Sequence, residues 1–264
     1  MKLFYRHFGS GDPVIILHGV FGMSDNWVTL GRRLGEHFSV FIPDQRNHGH
    51  SPHSQIHNYY ALVDDMLEFI DEHGLKNPVI IGHSMGGKVA MGVALEVPLL
   101  LRTLIIIDIS PGSYPVRQEH MDILRAMGSI DPGTLTSRQA VDAELNRYHL
   151  SEKIRYFVLK NLHRDSSDRF SWRINLDALE KNLELVSGSI PFKGTYTGPV
   201  LVICGGDSDY VTEADRPIFM SYFPNVQFAR IPGASHWIQA DRPDELFREL
   251  TAFLKLTQGR VSTG

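Results

Sequence analysis

Six short runs of largely apolar, β-branched residues punctuate the chain, each bounded by glycine, proline or aspartate. They are PVIILHG (13–19), FSVFIPD (38–44), PVIIGH (78–83), RTLIIID (102–108), PVLVICGG (199–206) and VQFARIPG (226–233). The runs are continuously apolar instead of alternating, which suits strands covered on both faces. Between them the period changes. In YYALVDDMLEFIDEH, Tyr59, Leu62, Val63, Met66, Leu67 and Ile70 recur at spacings of three and four with acids on the opposite face, as in an amphipathic helix. Strand and helix in alternation predict an α/β fold, a mainly parallel sheet wrapped by helices.

The alternation stops between 112 and 196. YPVRQEHMDILRAMG, SRQAVDAELNRYHL, SEKIRYFVLKNLHR and DALEKNLELVSG are charged and helical, with no convincing strand among them. The expected division is a core of 1–111 with 197–264, and a helical lid, 112–196, over the carboxyl ends of the strands, where open α/β sheets bind ligands. The polar tail TQGRVSTG is expected to fray.

Composition narrows the function. With 264 residues, 42% of them apolar, the chain can bury a sizeable core. A formal charge of -4 with no basic stripe gives no electrostatic reason for a nucleic acid or an anionic membrane as partner. No apolar run approaches the roughly 18 residues of a membrane span, and MKLFYRHFGSGD lacks a signal-like apolar core, so a cytoplasmic location is expected. Cys204 is the single cysteine and reads as a core residue inside VLVICGG. The histidines of DQRNHGHSPHSQIH (His48, His50, His53, His57) have no Cys partner and no regular ligand spacing, so a structural or mobile loop is expected and no metal.

Candidate chemistry centres on Gly82-His83-Ser84-Met85-Gly86. Its glycines let the backbone turn sharply from strand to helix, lifting the Ser84 hydroxyl above the sheet at a helix amino end. A serine needs a base, and GASHWIQADRP places His236 in a loop after the last predicted strand. The orienting acid is open between Asp108, ending LIIID, and Asp207 or Asp209, in GGDSDYV. Oxyanion donors are expected from the Met85 N–H and from HGVFG, most simply the Val20 N–H, with Phe21 as its substitute or as a pocket wall. Trp172, Trp237 and the lid residues Phe170, Ile174 and Leu176 are further candidate pocket walls. Arg46 and Arg125 are candidates for meeting a substrate carboxylate.

Five motifs together resemble the α/β-hydrolase superfamily: H-G-x-x-G (18–22), D-x-R-x-x-G-x-S (44–51), G-H-S-M-G-G (82–87), D-I-x-P (108–111) and G-x-x-H-W (233–237). R-N-H-G-x-S (46–51), G-H-S-M-G-G-K (82–88) and W-R-x-N (172–175) narrow the resemblance to small bacterial YbfF-type esterases and their mitochondrial relatives. The resemblance implies a lid inserted after the sixth strand and an ester or acyl-thioester substrate handled through an acyl-enzyme without metal or organic cofactor. It implies Asp108 as the acid, whereas the broader superfamily pattern maps to Asp209. Carbon–carbon bond hydrolases, lyases and non-catalytic small-molecule receptors share the fold and stand as alternatives.

Overall fold

The structure, a computed structural model, describes residues 1–258; the tail expected to fray lies, from 259 on, outside the described residues. Seven strands form the main sheet: β1 (Tyr5–Phe8), β2 (Pro13–Leu17), β3 (Ser39–Pro43), β4 (Val79–His83), β5 (Thr103–Ile107), β8 (Val200–Gly205) and β9 (Val226–Ile231). Their spatial order is β1-β3-β2-β4-β5-β8-β9. β1 pairs antiparallel with β3 and every other pair is parallel. Each of the six apolar runs contains one of these strands. β1 went unread because YRHF is a short, half-exposed edge strand without an apolar run.

Both faces of the sheet are buried, as the unalternating runs require. Ile15, Ile80, Leu104 and Val200 are register neighbours on one face. There they join the apolar side of α2 (Tyr59–Glu72) and the helix α3 (Met85–Glu96). Val14, Ile16, Val79, Ile81, Ile105 and Ile203 form the other face, under α1 (Val28–Leu34) and the helix Pro243–Gln258. Asn58 caps α2 by accepting from the Ala61 N–H. Asp65 departs from the acidic outer face of that helix. It is buried and receives two hydrogen bonds from Arg46, at 2.6 and 2.8 Å.

The chain adds β3 on one side of β2, then crosses to add β4 on the other. At such a switch point neighbouring loops leave in opposite directions and open a crevice at the carboxyl ends of the strands. The loop 18–22 and Ser84 lie there.

The insert follows β5, the fifth strand in chain order, and not a sixth as the resemblance implied, because only β1 to β5 precede it. It contains α4 (Gln118–Ser129), α5 (Arg138–Asn146), α6 (Glu152–Leu159) and α7 (Leu176–Ser187). It also holds a hairpin that its helical pattern concealed, β6 (Leu162–Arg164) paired antiparallel with β7 (Phe170–Trp172). These strands have three residues each, too few to show a period.

Polar contacts attach the insert to the core at many points, three of them from residues buried or capping at the junction. Asn175 caps α7 and donates to Asn47 Oδ1 at 3.1 Å. Asn161 Nδ2 donates to the Phe21 carbonyl at 2.9 Å. Lys88, in α3, donates to the carbonyls of Gly112 and Gly188, one at each end of the insert. Burial pushes the Lys88 ammonium down to about 7, and a neutral amine still offers two N–H donors for its two carbonyls.

The unfolded chain holds that proton up to the ordinary lysine range near 10.5. Between about 7 and 10.5 the unfolded state therefore binds more protons, and this group raises stability as pH rises; below 7 its full penalty remains. The difference in unfolding free energy between the wild type and Lys88→Met should consequently grow in favour of the wild type from pH 7 to 9.5. Urea titrations at the two pH values measure it, and a pH-independent difference contradicts the assignment.

Candidate active site

Ser84 joins β4 to α3 with φ 52° and ψ -122°, a left-handed conformation unfavourable for a residue with a Cβ. Its N–H is held by the Ile107 carbonyl at 3.1 Å. Flanking glycines make the bend possible. A Cβ on Gly82 would stand 2.3 Å from the Gly86 carbonyl oxygen, and one on Gly86 2.6 Å from those of Leu17 and His18. Only hydrogen fits where strand, bend and helix cross. As the first residue of α3, Met85 has no acceptor within the helix for its N–H.

The loop after β9 brings in His236. Its Nδ1 lies 2.8 Å from Asp108 Oδ2, so with the proton on Nδ1 the ring donates to the carboxylate and turns Nε2 away from it. Asp108 follows β5, adopts φ 51° and is fully buried. Besides His236, its carboxylate accepts from the Gly205 N–H at 2.9 Å and from the Ser208 hydroxyl. Such donors are what a buried carboxylate needs. Asp209 points elsewhere: its exposed carboxylate accepts from Arg117 Nη1 at 2.9 Å. The Arg117 guanidinium holds that carboxyl below the usual carboxylate range.

Tyr210 stacks on the His236 ring, with centroids 3.7 Å apart and planes at 15°. The Arg117 guanidinium covers the Tyr210 ring at 4.3 Å. Beneath His236, His83 Nε2 lies 2.9 Å from the His236 carbonyl oxygen and donates to it. Burial, reinforced by the neighbouring His236, pushes His83 down to about 3, so it is neutral. Ser208 and Tyr210 escaped the sequence reading because no local pattern marks them; their proximity to GGDSD was the sole signal.

His18 and, from the histidine-rich segment, His48 hold loop backbone in place. His18 Nε2 accepts from the Gln45 N–H at 3.0 Å while its Nδ1 meets the Gly19 carbonyl oxygen at 2.8 Å. His48 Nε2 accepts from the Phe21 N–H at 3.2 Å while its Nδ1 meets the Arg46 carbonyl oxygen at 2.9 Å. Each imidazole is buried, and desolvation pushes His18 down to about 4 and His48 to about 3. Both are neutral, with one ring nitrogen donating and the other accepting. The bond from His48 occupies the Phe21 amide, so Phe21 is not a free substitute donor. The Val20 amide has no backbone acceptor among the described residues.

Ser84, His236, Val20, Phe21 and Trp237 wall one cavity together with His120 of the insert. Ser84 and His236 make no direct hydrogen bond in this arrangement; such bonds are often long before substrate binds and tighten in the complex. A second cavity, about 30 Å³, lies against Ser84, Val20 and Met85 and is closed by Tyr59, Tyr114 and other residues. Phe157, Trp237 and Gln239 also border a groove of about 680 Å³.

Trp172 departs from expectation, since it walls neither cavity. Its Nε1 donates to the Met127 carbonyl at 3.1 Å, pinning β7 to α4. Arg46 is engaged by Asp65, and Arg125 is exposed and paired with Asp122. Neither lines the cavities at Ser84, so neither is placed to hold a substrate carboxylate there.

Residues 14–249 match the model of the alpha/beta hydrolase family. The chain is 33% identical to esterase YbfF of Escherichia coli over 248 residues, 93% of this chain and 94% of that protein. It is 34% identical to an sn-1-specific diacylglycerol lipase of Danio rerio over 255 residues, 94% of this chain and 80% of the lipase. A solved marine microorganism esterase superposes with a TM-score of 0.92 at 38% identity, covering 96% of this chain and 99% of its own. Crevice, strained serine bend and full-length similarity converge, and the chain belongs to the alpha/beta hydrolase family.

Proposed function

We propose that the protein is a serine hydrolase of carboxylic esters or acyl thioesters, working through an acyl-enzyme. One observation carries the reading: a single cavity is walled by Ser84 on its strained bend and by His236, whose Nδ1 is committed to a buried Asp108. That leaves Nε2 to take the Ser84 proton as Oγ attacks the carbonyl carbon. Asp108 fixes the tautomer and stabilises the imidazolium without accepting the proton. The face of Tyr210 adds cation–π stabilisation to that imidazolium. The Val20 and Met85 N–H groups donate to the oxyanion. His236 then protonates the departing alcohol or thiol, and water attacks the acyl-enzyme with His236 again as base.

The two ends of the substrate follow from this geometry. A leaving atom must reach His236, so the leaving group lies on the side of Trp237 and Gln239, next to the 680 Å³ groove. The acyl group lies on the opposite side, in the small cavity beside Met85. A bulky leaving group with a short acyl chain fits this division, and residues 112–196 act as the lid over it. Arg46 and Arg125, the two arginines the sequence offers to a carboxylated lyase or carbon–carbon hydrolase substrate, are engaged elsewhere.

Ser84→Ala should abolish p-nitrophenyl butyrate hydrolysis and labelling by a fluorophosphonate while the circular dichroism spectrum stays native. Peptide mapping of the wild type should recover the label on Ser84; a label elsewhere refutes the nucleophile. Asp108→Asn should lower kcat by about 10⁴-fold. Asp209→Asn, which removes an exposed ion pair, should lower it by less than about tenfold. Equal losses in the two variants would refute Asp108 as the partner of His236.

A further inference from the structure

In the wall of the small cavity beside the nucleophile, two buried polar atoms lack a partner. Arg117 Nε and His120 Nδ1 are shielded from solvent and make no hydrogen bond among the described residues, although buried polar atoms are nearly always satisfied. Both side chains line the 30 Å³ cavity against Ser84 and Met85. His120 also lines the cavity containing His236, so it stands where the two meet.

Neither residue is a loose end. They are three positions apart at the start of α4, and the His120 N–H bonds back to the Arg117 carbonyl at 3.1 Å. Arg117 is anchored by Asp209 and by the Tyr210 ring. The His120 ring meets Phe21 edge-on, with centroids 5.7 Å apart. The unpartnered atoms thus belong to two side chains of the cavity wall that are fixed by other contacts.

Their chemistry limits what that is. An arginine Nε–H can only donate. His120 is neutral, pushed down to about 4 by burial and then by His236 and Arg117, and its Nδ1–H tautomer supplies a second donor. The common complement of two donors is an acceptor oxygen. We propose that Arg117 and His120 form a subsite for an acyl group carrying a hydrogen-bond-accepting oxygen beyond its reacting carbonyl. The proposal rests on the reading of Ser84 as the acylated residue, and it makes an oxygenated short acyl chain the preferred substrate class over a plain alkanoyl chain. A cavity of 30 Å³ holds about two water-sized groups, which keeps that chain short. Asp209 already offsets the charge of Arg117, so an uncharged oxygen is the better match.

The test compares ethyl butanoate, ethyl 3-oxobutanoate and monoethyl succinate by pH-stat in wild type, His120→Phe and Arg117→Met. The kcat/KM of at least one oxygenated ester, relative to butanoate, should fall about tenfold or more in each variant, the scale of a lost buried hydrogen bond. The 3-oxo ester reports an uncharged oxygen and the succinate ester a carboxylate. Ratios within twofold of wild type in both variants overturn the subsite. Competition of the same esters for Ser84→Ala protein, read by saturation-transfer NMR, needs no turnover and no change in the subsite. A wild type inert toward all three esters, with the oxygenated preference retained in binding, refutes the serine mechanism alone; equal occupancy by all three refutes the subsite.

Discussion

A carboxylate sealed from solvent organises this molecule. Asp108 sits at the end of β5 and draws donors from the Gly205 N–H, the Ser208 hydroxyl and the His236 ring. An unpaired buried charge is costly, and the cost is met only if the end of β8, the turn after it and the loop after β9 converge on one point. The constraint that makes the charge tolerable also brings an imidazole from the last quarter of the chain to the cavity of a serine 152 positions earlier. Asp108 and Ser84 both adopt positive φ, so two strained backbones end the neighbouring strands β5 and β4. The surrounding packing must hold them there.

Around this point, imidazoles act as neutral struts. His18 and His48 each spend one nitrogen as acceptor for a loop amide and the other against a carbonyl. His83 supports the His236 backbone. A neutral imidazole can join an N–H to a C=O in a dry interior without the desolvation cost of a charge, which neither lysine nor arginine can do. By occupying the Phe21 amide, His48 also decides which amides of the HGVFG loop stay available.

The insert is held by polar contacts spread over its length, among them Asn161 to the Phe21 carbonyl, Asn175 to Asn47, Tyr59 to the Val186 carbonyl, Arg117 to Asp209, and Lys88 to a carbonyl at each end. Lys88 lies one turn along α3 from the serine bend. The helix that begins at Met85 thus also holds a carbonyl near each end of the insert, coupling the cavity wall to the placement of the insert.

The sequence by itself determined the sheet and its two covered faces, because unbroken β-branched runs can be satisfied only by burial on both sides. It also determined the serine bend, because Gly82 and Gly86 meet backbone oxygens within van der Waals distance and any other residue would clash. These are local constraints, carried by neighbours in the chain. Only the tertiary structure decided which acid faces His236, since Asp108 and Asp209 both follow strands and differ in what folds against them. It also decided that Trp172 supports α4 and leaves the cavity wall to Phe21 and Trp237, that a short hairpin interrupts the helical insert, and that Arg117 and His120 are left with donors unspent. Each of those outcomes depends on a partner tens of residues away, and no period or spacing along the chain records the direction in which a side chain finds it.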